Sequence, residues 1–296
     1  IWQFGFSGSA PLLMATPGHF LEGTTGVMPL STTIWAPATI ILVISFLIAT
    51  MIAGVVFMPK KVRQVSEFAA AEASVVEKPE EPRPAGKQTA AMWMERSPLV
   101  MIPLTIMLLA WLYTHFFTKG LSLDINSMNT IVLTAGVILH KNIFKFTNAL
   151  KEAVGLAWPI VLLYHLYAGV AGLIQFTPVG EYLVAIFNPI LTSYTFPILI
   201  VIISAVISFF IPTSGGQWLI QGFVTVQAAE AVGATAQRGL LALSVGDHMG
   251  NLLTPFWAVV GASIARVDFR LMFGYRLIFA AIWFVMGTLA FTFLPC

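Results

Sequence analysis

Two short stretches of serine and glycine interrupt long apolar runs and could bind an anion. The first comprises Ser7, Gly8 and Ser9, and the second comprises Thr213, Ser214, Gly215, Gly216 and Gln217. Such residues expose backbone N–H groups and hydroxyls, and a helix that begins beside them adds the positive end of its dipole. The alternative is that the small residues only let helices approach closely. We predict an anion site at the second stretch, whereas both interpretations of the first remain open.

Asp247 and His248 stand within another apolar segment, where an ionisable side chain is costly to bury. A carboxylate in such a place could bind Na⁺ or exchange a proton, so we predict that the pair binds a cation. The alternative is a structural pair that only hydrogen-bonds backbone groups. Asn251 and Thr254 follow in the same segment, four residues and one residue before Pro255, and complete the predicted anion site.

Enzymatic chemistry finds little support in the residues. The stretch from Gly5 to Ser9 comes close to the G-x-S-x-G turn of serine hydrolases, but Ser9 replaces the last glycine and no strand precedes it. Asp247 and His248 are adjacent, so on a helix their side chains diverge and cannot both serve one serine. The single cysteine, Cys296, belongs to no metal-ligand cluster. We predict no catalytic residue and no metal site, and a membrane-embedded hydrolase is a remote alternative.

The composition places these residues in a lipid bilayer. Of 296 residues, 58% are hydrophobic and 9% are charged, whereas soluble domains have about a quarter charged residues. Nearly half of the charged residues lie between Lys60 and Arg96, which leaves long stretches almost free of charge. The net charge of +2 is too small and too dispersed to indicate a nucleic-acid partner. The sequence therefore predicts a multi-pass membrane protein.

The apolar runs are candidate membrane helices, which need about 20 residues to cross a bilayer. We predict spans at residues 34–58, 99–118, 128–140, 154–176 and 277–294. Pro159 and two glycines in the fourth span predict a bend or an interruption there. Residues 59–97, rich in Glu, Ala, Pro and Lys, have the composition of a solvated linker. Basic residues at both ends of the linker predict that it lies in the cytoplasm.

Two further segments are interrupted in the middle. Residues 197–232 contain two short apolar stretches joined by the turn at Pro212, which predicts a re-entrant hairpin. Residues 238–264 are interrupted by polar residues and by Pro255, which predicts a broken helix. Irregular backbone at this depth is tolerated only against protein or a water-filled cavity.

The broken helix has a counterpart near the start of the chain. Ser7 lies four residues before Pro11, as Asn251 lies four residues before Pro255, and the predicted topology makes the two segments antiparallel. This arrangement is typical of inverted repeats. We therefore predict the end of a first repeat at residues 1–58, the cytoplasmic linker at 59–97 and a second repeat at 98–296. The predicted fold class is an all-α integral membrane protein, an inverted-repeat secondary transporter with broken helices and a re-entrant hairpin.

Three motifs carry a resemblance to a known family: GFSGSAPLLMATPG at residues 5–18, IPTSGGQWLIQG at 211–222 and NLLTPFWA at 251–258. The chain resembles the short-chain fatty acid transporters that bacteria encode with enzymes of acetoacetate degradation. The resemblance covers essentially the whole chain, with the linker least alike. It implies ion-coupled uptake of short-chain carboxylates such as acetoacetate or butyrate across the bacterial cytoplasmic (inner) membrane.

The chain departs from the family pattern in two places. Family members are longer at the N-terminus, where a first re-entrant hairpin is expected, so we expect this chain to be an N-terminally truncated fragment. Gln217 stands where the family hairpin often has a histidine, so no role of that histidine carries over.

We predict a secondary carrier for short-chain fatty acids and similar monocarboxylate anions, with Na⁺ or H⁺ as coupling ion and no other cofactor. The alternative is a carrier or channel for other small organic anions such as dicarboxylates. A channel needs a continuous polar lining, whereas the polar residues here cluster at two breaks. The expected partners are the carboxylate substrate and the lipid bilayer, and both a monomer and a homo-oligomer remain open.

Overall fold

A computed structural model describes residues 2–58, 89–178, 182, 190–265 and 267–293. Of these residues, 78% are helical and none is in a strand, which confirms the all-α fold class. The contacts group residues 1–64 with 159–296 in one compact unit and residues 65–158 in another. The predicted division into two repeats around a linker stays a prediction.

Twelve α-helices follow one another along the described residues. They are α1 (Ala10–Met14), α2 (Glu22–Thr25), α3 (Pro37–Val56), α4 (Ala90–Arg96), α5 (Met101–Tyr113), α6 (Ile125–His140), α7 (Ile143–Phe176), α8 (Phe196–Phe210), α9 (Ser214–Ala231), α10 (Ala236–Leu253), α11 (Pro255–Ala265) and α12 (Phe269–Phe293). A π-helical turn, Thr114–Thr118, extends α5.

Three helices of the described residues are long and apolar enough to cross a membrane: α3, α5 with its π-helical extension, and α12. Ile44, Ile48, Met51 and Val55 form an exposed aliphatic stripe on α3, as expected for a helix surface that contacts lipid. Shorter apolar helices, α6, α8 and α11, accompany the long ones. The chain is a membrane protein.

The interruptions fall where proline removes a backbone N–H group. Pro212 lies in the three-residue gap between α8 and α9, and Thr254 separates α10 from α11, which starts at Pro255. Proline cannot donate the helix hydrogen bond and its ring crowds the preceding turn, so each helix ends before it. That the predicted hairpin enters and leaves the bilayer on the same side stays a prediction.

Two helices start earlier in the chain than the predicted spans that they overlap. Helix α7 runs without interruption from Ile143 to Phe176, so the fourth span is part of one long helix that continues through position 159. The last helix starts at Phe269 rather than near residue 277, so Arg270 and Arg276 belong to it. A lone proline costs one helix hydrogen bond, which a long helix can absorb.

Of the predicted linker, residues 59–88 lie outside the described residues, and Ala90–Arg96 forms α4.

Helix α10 is buried along most of its length, since every residue from Gly239 to His248 is buried. The main hydrophobic cluster joins side chains of α1, α3, α8, α9, α10 and α12 around it. Trp283 of α12 also donates a hydrogen bond from Nε1 to the Val245 carbonyl oxygen at 2.8 Å. The polar residues of α10 are thus held inside a packed core.

Two glycines let α10 lie directly against α8. A Cβ atom at Gly246 would come within 2.2 Å of the Val201 carbonyl oxygen, and one at Gly250 within 2.5 Å of the Ala205 carbonyl oxygen. The two glycines are four residues apart and therefore share one helix face. This is the close packing that small residues permit between membrane helices.

We expect Gly246→Ala to destabilise the protein by about 1–3 kcal/mol, because the added methyl group overpacks the contact with α8. Gly274→Ala in α12 is the matched control, since a Cβ atom there meets nothing within 4 Å. The control should be neutral or slightly stabilising, because alanine favours a helix over glycine. Thermal unfolding of both variants in detergent measures the difference, and equal unfolding temperatures would contradict the close contact.

Candidate substrate and ion site

The two serine and glycine stretches meet in the structure, more than 200 residues apart in the chain. The Gly215 N–H donates a hydrogen bond to the Gly8 carbonyl oxygen at 3.1 Å. The Ala10 N–H donates one to Ser214 Oγ at 3.1 Å. The start of α9 therefore lies against the start of α1, and each helix start supplies a hydrogen-bond partner for the other.

Local geometry explains why these residue types stand at the junction. Gly8 has φ of +73°, a backbone conformation that favours glycine. Ser9 caps α1 by accepting a hydrogen bond from the Leu12 N–H, and its hydroxyl donates to the Gly5 carbonyl oxygen at 2.7 Å. A Cβ atom at Gly215 would lie only 3.0 Å from the Gly8 carbonyl oxygen, so a larger residue would force the two stretches apart.

Asp247 lies beside this junction, fully buried on α10. Ser208 of α8 donates a hydrogen bond to its Oδ1 atom at 2.8 Å, and the Asn251 side-chain amide donates to the same atom. Ser214 is a further polar neighbour of the carboxyl group, without hydrogen-bond geometry. The Ser214 side chain therefore lies next to both the first stretch and the carboxyl group of Asp247.

Two oxygen atoms in this cluster lack a hydrogen-bond partner within the part of the chain described: Asp247 Oδ2 and Asn251 Oδ1. A buried acceptor without a donor is costly, and such atoms often mark a place for a ligand or an ion. Oxygen atoms of carboxylates, amides and hydroxyls are the ligands of hard cations, and a proton on Oδ2 would also convert that atom into a donor. The cluster can therefore accept a cation or a proton.

His248 and Gln217 have hydrogen-bond partners outside the two stretches, although Gln217 Oε1 has none among the described residues. The His248 Nδ1 atom lies 2.6 Å from Gln3 Oε1, and its ring packs edge-on against Trp283. Gln217 is buried on α9, where its amide donates to the Ser204 carbonyl oxygen at 2.9 Å and to Gln221. These two predicted site residues have protein partners of their own.

The remaining predicted residues lie at the edges of the site. Ser7 is exposed, Thr213 is the N-terminal flanking residue of α9 without a side-chain cap, and Gly216 sits in the first turn of α9. Thr254 flanks the end of α10, and its hydroxyl donates to the Phe209 carbonyl oxygen at 3.3 Å. The structure thus brings Gly8, Ser9, Ser214, Gly215, Asp247 and Asn251 together, and it leaves the others around them.

Residues outside the predicted site hold the cluster together. Ser204 and Ser208 are one helix turn apart in an otherwise apolar helix, a spacing that could have indicated a polar stripe facing α10. Arg276 donates hydrogen bonds to carbonyl oxygens at the end of α10. Gln3 gave no signal, because a lone glutamine near the start of the chain has no informative spacing.

These observations define a class: an α-helical membrane protein whose buried polar groups gather where its helices are interrupted. The chain belongs to the short-chain fatty acid transporter family, whose profile matches residues 1–293. The family is one of transporters, which agrees with the prediction that the chain is not an enzyme.

Two curated relatives share the family name. The chain is 29% identical to an Escherichia coli K12 protein named "Putative short-chain fatty acid transporter", over 98% of this chain and 66% of that protein. It is 29% identical to a Haemophilus influenzae protein of the same name, over 97% of this chain and 66% of that protein. The chain thus spans just under two thirds of the length of these relatives. No solved structure matches the chain significantly.

For a carboxylate transporter, we expect Gly215→Val to lower Vmax/KM of uptake by about tenfold or more, which corresponds to about 1.4 kcal/mol of lost binding. The valine side chain would displace the Gly8 carbonyl oxygen and separate the two stretches. Gly23→Ala is the control, because a Cβ atom at Gly23 meets nothing within 4 Å. Uptake kinetics in proteoliposomes measure both, and unchanged kinetics in Gly215→Val would show that the junction does not contact the substrate.

Proposed function

We propose that the protein takes up short-chain fatty acid anions across the bacterial cytoplasmic membrane by cation-coupled secondary transport. One observation carries the proposal: two helix starts, far apart in sequence, meet beside a buried carboxyl group whose Oδ2 atom has no hydrogen-bond partner among the described residues. The names of the family and of the two curated relatives support the substrate class.

The start of α9 offers what a carboxylate substrate needs. The Ser214 hydroxyl, the backbone around Gly215 and Gly216, and the positive end of the helix dipole lie at one place. Small residues leave the backbone accessible to a ligand. Ser9 and Asn251 extend the same polar surface from the neighbouring elements, so a small anion would contact three separate segments. Ser7, Gly8, Thr213, Gln217 and Thr254 then shape the surroundings of the site.

Asp247 provides the coupling in this proposal. An ionised carboxylate in a packed core is costly unless a cation compensates its charge, and the cation in turn offsets the charge of an incoming anion. Na⁺ and H⁺ both meet this requirement. His248 supports the site indirectly, by fixing Gln3 against α10 through the hydrogen bond to Gln3 Oε1.

The broken segments also suggest how the site becomes accessible from either side. Inverted-repeat transporters place such interruptions near the middle of the bilayer and move one repeat against the other. We propose that α1 and the α10–α11 pair are the corresponding broken helices of two such repeats. Both then contribute to one site, as the contact of Ala10 with Ser214 and the contact of Ser214 with Asp247 suggest.

The experiment is gradient-driven uptake by the purified protein in proteoliposomes. Labelled butyrate and acetoacetate are offered with an inward Na⁺ gradient, with an inward H⁺ gradient or with neither, and succinate serves as the dicarboxylate comparison. Accumulation above the external concentration under one gradient alone identifies a coupled carrier and its ion. Equilibration that ignores both gradients would overturn the carrier and indicate a channel, and a preference for succinate would overturn the substrate class.

We expect Asp247→Asn to abolish accumulation above the external concentration while the protein still folds, because asparagine keeps the shape and removes the charge. Asp268→Asn is the control, since Asp268 is exposed at the start of α12. If H⁺ is the coupling ion, uptake by the unmodified protein should vary with external pH, whereas Na⁺ coupling predicts saturation with sodium. Normal gradient-driven accumulation by Asp247→Asn would place the coupling site elsewhere.

A further inference from the structure

Arg276 is a cation in the interior of a candidate membrane span. It lies seven residues after the first residue of α12, which is about 10 Å along the helix axis. Its side chain is half-buried, whereas Arg270, in the first turn of the same helix, is exposed. A charged residue so far from a helix end is rare in membranes and is commonly tied to a ligand or a pathway.

The guanidinium group of Arg276 contacts the break after α10. Its Nε atom donates a hydrogen bond to the Leu252 carbonyl oxygen at 2.9 Å, and Nη2 donates to the carbonyl oxygens of Asn251 and Thr254. They lie at the end of α10, and the Asn251 carbonyl oxygen lacks its helical partner because Pro255, four residues later, has no N–H group. The Nη1 atom forms no hydrogen bond, and no carboxylate pairs with Arg276, among the residues whose structure is described.

A second arginine shows what capping alone looks like. Arg238, near the start of α10, donates through Nε and Nη2 to the Phe291 carbonyl oxygen at 3.1 and 3.0 Å, and to that of Thr292. Each of the antiparallel helices α10 and α12 is therefore capped by an arginine of the other. Arg238 caps the ordinary end of α12, whereas Arg276 caps a break that contains two predicted site residues, Asn251 and Thr254.

Asn251 connects Arg276 with the buried acid. Its backbone carbonyl oxygen accepts from Arg276, and its side-chain amide donates to Asp247. Asn251 thus contacts both the guanidinium group at the break and the carboxyl group beside it. The positive charge of Arg276 would compensate a bound carboxylate, and the negative charge of Asp247 would compensate a bound cation. Asn251 would lie between the two bound ions.

We propose that Arg276 is the positively charged contact that selects the carboxylate group of the substrate, with Nη1 as the free donor. The proposal rests on the proposed function and assigns a role to a residue outside the predicted site. A guanidinium suits this role because it stays charged and its planar N–H groups match a carboxylate. The ligand is a small monocarboxylate anion, and its uncharged amide should bind poorly.

The experiment compares three variants in proteoliposomes: Arg276→Gln, Arg276→Lys and the matched control Arg238→Gln. KM and Vmax for labelled butyrate are measured together with inhibition by butyramide, the uncharged isostere, and with thermal unfolding. Arg276→Gln should raise KM by about 10- to 100-fold, the order expected for losing a hydrogen bond to a charged group. It should also reduce the preference for butyrate over butyramide. Arg276→Lys keeps the charge and should raise KM less.

The control separates substrate binding from helix capping. Arg238→Gln should lower the unfolding temperature as Arg276→Gln does and leave KM within about twofold, since it loses the same kind of cap away from the break. A KM in Arg276→Gln equal to that of the unmodified protein, or an equal rise in Arg238→Gln, would overturn the proposal. If the unmodified protein accumulates no carboxylate at all, the proposed function itself fails.

A second measurement decides the question if Arg276→Gln does not fold. Phenylglyoxal modifies accessible arginines, so butyrate should slow inactivation of the unmodified protein, and butyramide should not. The protection by butyrate should disappear in Arg276→Lys. Equal protection of both proteins would show that the substrate does not cover Arg276.

Discussion

Every interruption of a helix in an apolar medium leaves backbone groups that water cannot satisfy, and this constraint organises the whole unit around α10. The structure satisfies these groups with partners from distant segments. The Gly8 carbonyl oxygen receives the Gly215 N–H, and the Pro212 carbonyl oxygen receives Trp257 Nε1 at 3.0 Å. The end of α10 receives Arg276. Groups at one break therefore form hydrogen bonds with groups at another segment. Buried polar groups gather there while the helices stay closely packed.

Close packing and polarity depend on each other in this arrangement. Gly246 and Gly250 bring α8 against α10, which sets Ser208 within hydrogen-bond distance of Asp247. With larger residues on α10, the serine hydroxyl would move away and the carboxyl group would lose a donor. A buried carboxyl group with fewer donors is costlier, so the glycines contribute to the chemistry of the site as well as to the fold.

Much of this architecture can be predicted from the sequence, because membrane helices have a length and a composition that few other elements share. Pro212 and Pro255 locate the breaks, since proline ends helices for a steric reason that acts locally. At position 159, however, the proline does not end the helix, and α7 continues through it. Local rules therefore indicate where a helix can end, and the surrounding contacts decide whether it does.

The pairing of side chains could not be predicted in the same way. Asp247 and His248 are adjacent, and both are ionisable residues in an apolar segment. Only the packed structure shows that Asp247 faces Ser208 whereas His248 faces Gln3. The role of Arg276 was hidden for a related reason, because the start of α12 lies earlier than its apolar run suggested. Helical periodicity defines the faces of a helix but does not identify the neighbour of each face.

The contact between Ala10 and Ser214 joins residues that are 204 positions apart, and that distance has a consequence for biosynthesis. At the usual 5–20 residues per second, a ribosome needs about 10–40 seconds to synthesise the intervening chain. During this interval the backbone around Gly8 has no partner from α9, although its own segment has already left the ribosome. Water or another protein must therefore satisfy these backbone groups until α9 has been made. The packing of α1 against α9 is then a late event in biosynthesis, timed by the synthesis of the second of the two serine and glycine stretches.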